Sequence, residues 1–381
     1  DSEGIGTAGA VEIANGLRNN KHLTNLDISN NNIGTAGAIK IIESLGSNNL
    51  TSLDISNNNR TKAFPQGGAD DSGVNAITET LRLNSRLTSL RAGGNDRATA
   101  FAILKRVVVV GVEERSKITG RFRLDLSFSN IGEVNDDEKA LIERYLLWPK
   151  DGESINLLGN DFNVDFATFL ASQSFISLCG LSDEDTNASY SGAPDYLSVS
   201  DTILLKAHLC LFSSLTSLDL SNCGLVVEGI KNIADALEEN CTLLSLNLGG
   251  NVGCGSDEVR DEEMVVLAQP RKTDDIKAIA DMLKVNTTLQ VLSMYDNCIG
   301  DAGATMIANA LLKENLPANR TMQLHVNVAD NKISDVGAQA FITTLNKYTA
   351  EPPNWTIDVY DNDIISEANK KVLAESAHFE I

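Results

Sequence analysis

The chain begins with a motif that could bind a nucleotide. Residues 4–9 read GIGTAG, and the spacing G-x-G-x-x-G marks the turn that binds the pyrophosphate of a dinucleotide. That chemistry requires a buried strand directly before the glycines, which brings the backbone to the phosphates at the start of a helix. Only Asp1, Ser2 and Glu3 precede the motif, and they cannot form such a strand. The motif therefore needs another explanation, and we expect no cofactor.

Other residues that could support catalysis or hold a metal are few and scattered. The four histidines are His22, His208, His325 and His378, and no H-E-x-x-H, G-x-S-x-G or P-loop motif occurs. The acidic run 256–263 (SDEVRDEE) lacks the ligand order of a calcium loop. None of the six cysteines forms a C-x-x-C pair, which favours reduced thiols in a reducing compartment. The sequence predicts no catalytic residues and no metal site, and thus a protein that is not an enzyme.

Charge narrows the class of partner. The 381 residues include 31 Lys and Arg against 52 Asp and Glu, for a net charge of −21. This excess disfavours nucleic acid and anionic membranes as main partners and favours proteins, especially basic ones. No apolar run is long enough to span a membrane, and no signal peptide is visible. We expect an intracellular, cytoplasmic protein, or an organellar one if a leader has been removed.

The glycine motif recurs, which shows its origin. Residues 33–42 read IGTAGAIKII, residues 299–311 read IGDAGATMIANAL, and residues 333–345 read ISDVGAQAFITTL. A cofactor loop occurs once per site, whereas a phrase that returns this often belongs to a structural repeat. Residues 5–17 are then the helix half of a repeat whose strand half is missing, so we expect the chain to start in the middle of a repeat.

A second phrase, L-x-x-L-x-L-x-x-N/C-x-I/L, lies next to these copies. It occurs at 23–33, 50–58, 87–95, 124–131, 155–162, 215–225, 243–251, 289–299, 326–333 and 357–364. Its L-x-L core predicts a short strand with leucines inward and alternate residues outward. The Asn or Cys is expected to bond backbone groups in the turn that follows. Apolar residues at helical spacing, such as Ala38, Ile41, Ile42 and Leu45, are expected to dock behind the strand.

These two phrases resemble the leucine-rich repeat, and the I-G-x-x-G-A phrase resembles the ribonuclease-inhibitor type. The resemblance implies an α/β solenoid, a curved horseshoe with a parallel sheet on its concave face and helices on its convex face. It covers most of the chain and implies one array over residues 1–381, with about ten to eleven units. The type is typically intracellular, and its repeats account for several of the seven N-x-[ST] sequons.

Irregular spacing of the repeat predicts inserted segments. They lie near 59–72, 96–121, 180–200 and 252–274, with room for one degenerate unit near 175–181. Insertions in a solenoid emerge at one face and often bind a partner, although tolerated loop drift is the alternative.

Outward strand positions supply the candidate binding residues. Arg91 and Arg123 belong to a basic stretch between residues 82 and 123, on a wall that is otherwise acidic or small. They either orient a partner by complementary charge or balance their acidic neighbours. Tyr295, His325 and Tyr360 are aromatic positions able to anchor a partner. The remaining candidates are acidic: Asp27, Asp54, Asp125, Asp219 and Asp358.

Three functions are compatible with this pattern. The first is a non-enzymatic scaffold or structural subunit of a large assembly, which binds unidentified protein partners through the concave face and the insertions. The second is regulation of a partner enzyme, since the resemblance includes ribonuclease inhibitor and the Ran GTPase-activating protein; Arg91 is then the candidate for work on the nucleotide. The third is the sensor end of a larger receptor of the nucleotide-binding immune type.

Overall fold

A computed structural model of the chain describes two compact units. Unit 1 comprises Asp1–Ser182 and unit 2 comprises Asp183–Ile381. The described residues are 4–58, 86–95, 97, 99–101, 103–104, 123–129, 131–132, 134–146, 154–173, 178–181, 184–191, 196–209, 213–251, 273–348, 352–362, 365–374 and 379–380.

Unit 1 contains a parallel sheet with strands in the order of the chain, β1 to β5, and helices between them. Each strand aligns in register with the next, so that Leu26, Leu53, Leu90 and Leu124 face one another along the sheet. The strands are β1 (Asn25–Asp27), β2 (Ser52–Asp54), β3 (Ser89–Arg91), β4 (Arg123–Asp125) and β5 (Ser154–Asn156). The helices are α1 (Gly6–Leu17), α2 (Gly34–Glu43), α3 (Asp136–Leu146) and α4 (Val164–Gln173), and a 3-10 turn spans Ser44–Ser47.

Unit 2 repeats this plan with a second parallel sheet, whose strands also follow chain order, β6 to β12. The strands are β6 (Asn187–Ser189), β7 (Ser217–Asp219), β8 (Ser245–Asn247), β9 (Val291–Ser293), β10 (Leu324–Asn327), β11 (Trp355–Asp358) and β12 (Phe379–Glu380). The helices are α5 (Val199–Leu209), α6 (Val227–Glu239), α7 (Asp274–Leu283), α8 (Gly300–Ala310), α9 (Asp335–Leu345) and α10 (Glu367–Ala374). Parallel strands joined by helices confirm the predicted α/β solenoid class.

Every copy of the strand phrase contains a strand, and its inward leucines are buried as predicted except in the first copy, where Leu23 and Leu26 are half-buried. Leu53, Leu90, Leu218 and Leu246 are at most 1% exposed. Two strands lie outside the phrase and were not predicted: β6 (Asn187–Ser189), in which alanine replaces the leucine, and β12, the two residues Phe379–Glu380.

Most of the turns that follow the strands are held by a ladder of buried asparagines. Asn58 shows the pattern: its Oδ1 accepts N–H groups of Asn31 and Ile33 in the preceding unit, at 2.7 and 3.3 Å. Its Nδ2 donates to the carbonyls of Ile28 and Ile55, at 2.8 and 3.0 Å. This side chain thus satisfies two donors and two acceptors that would otherwise be buried unpaired, and Asn160, Asn251 and Asn331 do the same. This confirms the predicted role of the asparagine.

Cys223 occupies the asparagine position of its unit, as the spacing predicts. Its thiol donates to the carbonyl oxygens of Tyr190 and Ser221, with Sγ–O distances of 3.2 and 3.5 Å. Burial, together with the nearby charge of Asp219, raises the pKa of this thiol to about 12. Cys223 is therefore a structural, protonated thiol.

The opening glycine motif forms the entry to helix α1. Gly6 begins the helix with a φ of +64°, and its N–H donates to the carbonyl of Asn31 at 3.0 Å. Gly37 of α2 corresponds to Gly9 of the motif. It packs directly on α1, since a Cβ there would lie 2.9 Å from the Cβ of Ala10. Glycine thus serves the turn and the helix contact. Ala38, Ile41, Ile42 and Leu45 are at most 1% exposed, as the helical spacing predicts.

The described residues include different parts of the four predicted insertions. Residues 59–72 and 252–272 lie outside the described residues, as does most of 96–121. The segment 180–200 is corrected: it contains β6 and the first residues of α5, because Ala188 pairs with Leu218 of β7 in the parallel sheet. The degenerate unit expected near 175–181 adds no parallel strand among its described residues; Cys179 forms an isolated antiparallel bridge with Asn156.

Candidate functional site

The outward side chains of each sheet form its strand face. The strand face consists of the first and third residue of each three-residue strand, the second and fourth residue of β10 and β11, and the second residue after each of these strands. These positions alternate with buried ones, as in β11 and the residue after it: Trp355, Ile357 and Val359 are at most 2% exposed, whereas Thr356 and Asp358 are half-buried. The candidate binding residues all lie on this face.

In unit 1 the third strand positions form a charged row. Its members in register are Asp27, Asp54, Arg91, Asp125 and Asn156. One guanidinium therefore lies between carboxylates on both neighbouring strands. Arg91 approaches Asp54, with 3.8 Å between Nη1 and Oδ2, yet 66% of its side chain is exposed. The row is therefore acidic with one basic residue in its middle.

Arg123 belongs to a different row. It is the first residue of β4 and aligns with Ser89 and Ser154, not with Arg91. Arg91 and Arg123 are thus diagonal neighbours on adjacent strands, and Arg123 is partly buried. The basic residues 97 and 86 are also described, and Arg97 pairs with Glu138 while it stacks on the Phe101 ring at 4.9 Å. The other basic residues of the stretch lie outside the described residues.

The aspartates of the strand face stabilise the turns that follow their strands. In each case Oδ1 accepts the N–H of the residue two positions on, which closes the turn at the end of the strand. For Asp54 and Asp219 the acceptor distances to Ser56 and Ser221 are 2.9 and 3.0 Å, and the serine hydroxyl donates to the same oxygen. Asp27, Asp125 and Asp358 make the same bond to residues 29, 127 and 360.

An asparagine side chain accepts the same turn hydrogen bond. Asn156, Asn247 and Asn327 occupy the same position and accept the equivalent N–H groups at 3.2, 3.0 and 2.8 Å. The turn therefore explains why an Asx residue recurs, and it does not explain why five of them are charged. Ser29 donates both its N–H and its hydroxyl to Asp27, and these bonds, with the nearby Arg91, hold the pKa of that carboxyl below its usual value.

The aromatic candidates lie together in unit 2. His325 is in β10, and its Nδ1 lies 3.0 Å from the Oγ1 of Thr356 on β11. Tyr295 and Tyr360 follow β9 and β11 and are 48% and 55% exposed. Val291 of β9 aligns with His325 and is 38% exposed. This end of the face is more apolar than β7 and β8, which present Ser217, Ser221, Ser245 and Gly249 at the equivalent positions.

Several sequons are accounted for by the repeat. The Nδ2 atoms of Asn240 and Asn286 donate to the carbonyls of Leu209 and Leu237, both at 2.7 Å, and both residues are at most 6% exposed. These asparagines link each helix to the next strand, as the sequence indicates.

Among the described residues, no helix is long and apolar enough to cross a membrane. No set of three or more His, Cys, Asp or Glu side chains in the described ranges is arranged to hold a metal ion.

Three solved structures resemble the chain. The leucine-rich repeat-containing protein LegL7 from Legionella pneumophila is 15% identical over 96% of this chain and 93% of its own, with a TM-score of 0.40. A TLR13–ssRNA13 complex is 14% identical over 88% and 46% of the two chains, with a TM-score of 0.29. Actin-binding site 2 of leiomodin-1 is 13% identical over 55% and 76%, with a TM-score of 0.18. No curated protein matches the chain.

Family models match several of the strand-and-helix units. The model described as Leucine Rich repeat matches residues 19–41, 213–234, 285–308 and 319–341, and a second, described as Leucine Rich Repeat, matches residues 49–68. The first four matches cover β1 with α2, β7 with α6, β9 with α8 and β10 with α9. With the asparagine ladder and the parallel sheets, these matches show that the chain contains leucine-rich repeats.

Proposed function

We propose that the chain is a non-enzymatic protein-binding scaffold or a structural subunit of a larger assembly, which binds through the strand face and the inserted segments. Leucine-rich repeat proteins commonly mediate protein–protein interactions, and they are typically interaction modules without catalytic activity. One observation carries the proposal here. The strand-face aspartates keep a charge that their turn does not need, because asparagine closes the same turn at residues 156, 247 and 327.

Excess charge on an exposed face favours recognition of a partner over folding. The row Asp27, Asp54, Arg91 and Asp125 carries two negative charges, one positive charge and one negative charge in order, so it favours a partner surface with the complementary order of charges. The partner expected from this row is a protein with exposed basic residues and at least one acidic residue opposite Arg91.

The structure allows a test that removes charge and keeps the turns. A variant with Asp27→Asn, Asp54→Asn and Asp219→Asn is compared with wild type in an affinity capture from native extract of the source, with partners identified by mass spectrometry. We expect a partner that wild type captures and the variant loses. A matched control, Glu12→Gln with Glu238→Gln and Glu239→Gln, removes three exposed charges from helices α1 and α6. It should retain the partner.

Two results would overturn the proposal. If the intact chain captures no protein, the scaffold function is wrong. If the partner survives in the aspartate variant and is lost in the helix control, the binding face lies on the helices and not on the strands.

The exposure of Arg91 favours a second candidate, stimulation of a small GTPase. Its guanidinium is 66% exposed at the end of β3 and is held near Asp54. GTP hydrolysis by a panel of small GTPases, with wild type and with Arg91→Ala, tests this function. Stimulation that Arg91→Ala abolishes would support it, and no stimulation by wild type would exclude it for that panel.

A further inference from the structure

Two exposed tyrosines lie on the strand face of unit 2 at the same level of the sheet. Tyr295 and Tyr360 both stand two residues after their strands, and Ala329 lies between them. Hydrogen bonds continue the ladder through these residues: Gly250 donates to the Tyr295 carbonyl at 2.8 Å, and Asp330 donates to that of Tyr360 at 3.0 Å. The two tyrosines are therefore two strand spacings apart, about 10 Å.

Small residues leave room around the rings. A Cβ at Gly249 would lie 3.2 Å from Cδ1 of Tyr295, so this ring lies against the turn that follows β8. Ala329 offers only a methyl group and is 6% exposed, so it forms a shallow floor between the two tyrosines. The face thus presents two exposed tyrosines with only the small Ala329 at the level between them.

Three aspartates border this space, one after each of β9, β10 and β11. Asp296, Asp330 and Asp361 are exposed and have φ values of +51°, +53° and +53°. The left-handed backbone favours Gly, Asn or Asp there, although Phe128 adopts it after β4. Asn30, Asn57, Asn222, Gly94 and Gly250 fill the position in other units. The turn therefore accepts a neutral residue, and three successive aspartates supply a negative charge that folding does not require.

The charge balance at this end of the face is negative. Asp358 adds a fourth carboxylate, whose Oδ1 accepts the N–H of Tyr360 at 2.9 Å. The opposing groups among the described residues of these turns and strands are the exposed Lys332 and the half-buried imidazole of His325. A second copy of this chain is disfavoured as the occupant, because each copy carries a net charge of −21.

We propose that this tyrosine–aspartate face, defined by Tyr295, Tyr360, Asp296, Asp330 and Asp361, binds an arginine-bearing basic segment of a partner protein. A guanidinium stacks its planar face on an exposed tyrosine ring, and flanking basic side chains pair with the aspartates. Arginine suits the space better than lysine, since its delocalised cation is more weakly hydrated and stacks on aromatic rings. The inference rests on the proposed protein-binding function and specifies the partner's chemistry.

Binding of labelled hexa-arginine and hexa-lysine peptides to the full chain tests the rings. Fluorescence anisotropy at about 0.15 M salt gives the dissociation constants. We expect hexa-arginine to bind several-fold more tightly, and Tyr295→Ala with Tyr360→Ala to weaken it about tenfold. Tyr196→Ala is the matched control, because Tyr196 is 72% exposed and lies before α5. It should leave binding unchanged.

A second variant tests the charges. Asp296→Asn, Asp330→Asn and Asp361→Asn keep residues that adopt the left-handed backbone, so the turns should stay folded. We expect hexa-arginine to bind about tenfold more weakly, with a smaller salt dependence. Two outcomes would show that net charge alone attracts the peptides, and either would overturn the inference. The first is equal affinity for hexa-arginine and hexa-lysine. The second is a loss of binding in the aspartate variant with none in the tyrosine variant.

The test separates this inference from the proposed function. If hexa-arginine does not bind while the affinity capture still yields a partner that depends on Asp27, Asp54 and Asp219, the inference is wrong and the scaffold function stands. If hexa-arginine binds as expected and the capture yields no protein, the face exists but the wider scaffold function fails.

Discussion

Asx side chains close the turns of this protein at two levels. Those of the strand face accept one N–H each, whereas a fully bonded ladder asparagine bonds four backbone groups. Asn331 illustrates the ladder: Oδ1 accepts N–H groups of Asn297 and Ile299, and Nδ2 donates to carbonyls of Met294 and Ala329, at 2.8 to 3.1 Å. The two roles explain why substitution of the first kind tests function, whereas substitution of the second kind removes buried hydrogen bonds and tests stability.

A buried histidine makes stability depend on pH. His208 in α5 is 1% exposed, and burial lowers its pKa from 6.5 to about 4. The folded state therefore resists protonation, so this contribution is fully present above pH 6.5 and is lost as the pH falls toward 4. The difference in pKa corresponds to about 3 kcal/mol at most. We expect the free energy of unfolding in urea to fall between pH 7 and 4.5, and His208→Gln to remove part of that slope.

The control for this prediction is His22→Gln. His22 is exposed on the segment before β1, and its replacement should leave the pH dependence as in wild type. Equal slopes for wild type and His208→Gln would show that carboxylates, and not His208, govern stability in this range.

At the scale of elements, neighbouring helices cap one another. Asp301 in the first turn of α8 accepts the N–H groups of Ser334 and Gly337 at 2.8 and 3.0 Å, at the start of α9. Asp335 of α9 accepts the N–H of Ser366 before α10 at 2.8 Å, which lowers the pKa of its carboxyl. Each carboxylate thus satisfies N–H groups that a helix start leaves unpaired. Successive repeats are joined by charge as well as by the sheet.

The helix phrase requires glycine where adjacent helices touch. A Cβ at Gly337 would lie 2.8 Å from Oδ1 of Asp301 and 3.0 Å from the Cβ of Ala304. Gly337→Ala should therefore destabilise the protein by about 1–3 kcal/mol, since it overpacks the contact and displaces a capping carboxylate. Urea unfolding measures the loss.

Gly16 in α1 is the matched control. It is exposed, and no atom lies within 4 Å of the position that a Cβ would take. Gly16→Ala should stabilise the helix by about 0.5–1 kcal/mol. If Gly337→Ala also raises the free energy of unfolding, helix propensity and not packing decides the effect at Gly337.

At the scale of the whole molecule, the net charge of −21 opposes folding. Self-repulsion among acidic residues raises the free energy of the compact state, and salt screens it. Local ion pairs act in the opposite direction; Asp281, for example, lies 2.7 Å from both Lys277 and Lys284 on α7 and beside it. Exposed pairs of this kind each contribute little.

We therefore expect the melting temperature to rise when sodium chloride increases from about 10 mM to about 150 mM, as the Debye length falls from about 30 to about 8 Å. Differential scanning calorimetry measures the shift, with an uncharged osmolyte at equal osmolality as the control. A fall in melting temperature would show that the ion pairs outweigh the general repulsion.

Much of the fold followed from periodicity. The strand phrase located β1 to β5 and β7 to β11, because its leucines alternate with polar residues and its asparagine recurs at a fixed offset. It missed β6, in which Ala188 occupies the leucine position and is still only 8% exposed, and the same gap produced the mistaken insertion at 180–200. Pairing with the neighbouring strand β7 forms β6 there, although the leucine pattern is absent.

For the candidate site, the sequence by itself determined which residues face outward, since a strand has a period of two, and that the face is acidic with tyrosines in the later repeats. Only the tertiary structure decided how these residues relate across strands. It aligned Arg91 with Asp54 and Asp125, placed Arg123 in another row, and brought Tyr295 level with Tyr360. The physical reason is that cross-strand neighbours are set by hydrogen-bond register between repeats, which spacing along one chain does not encode.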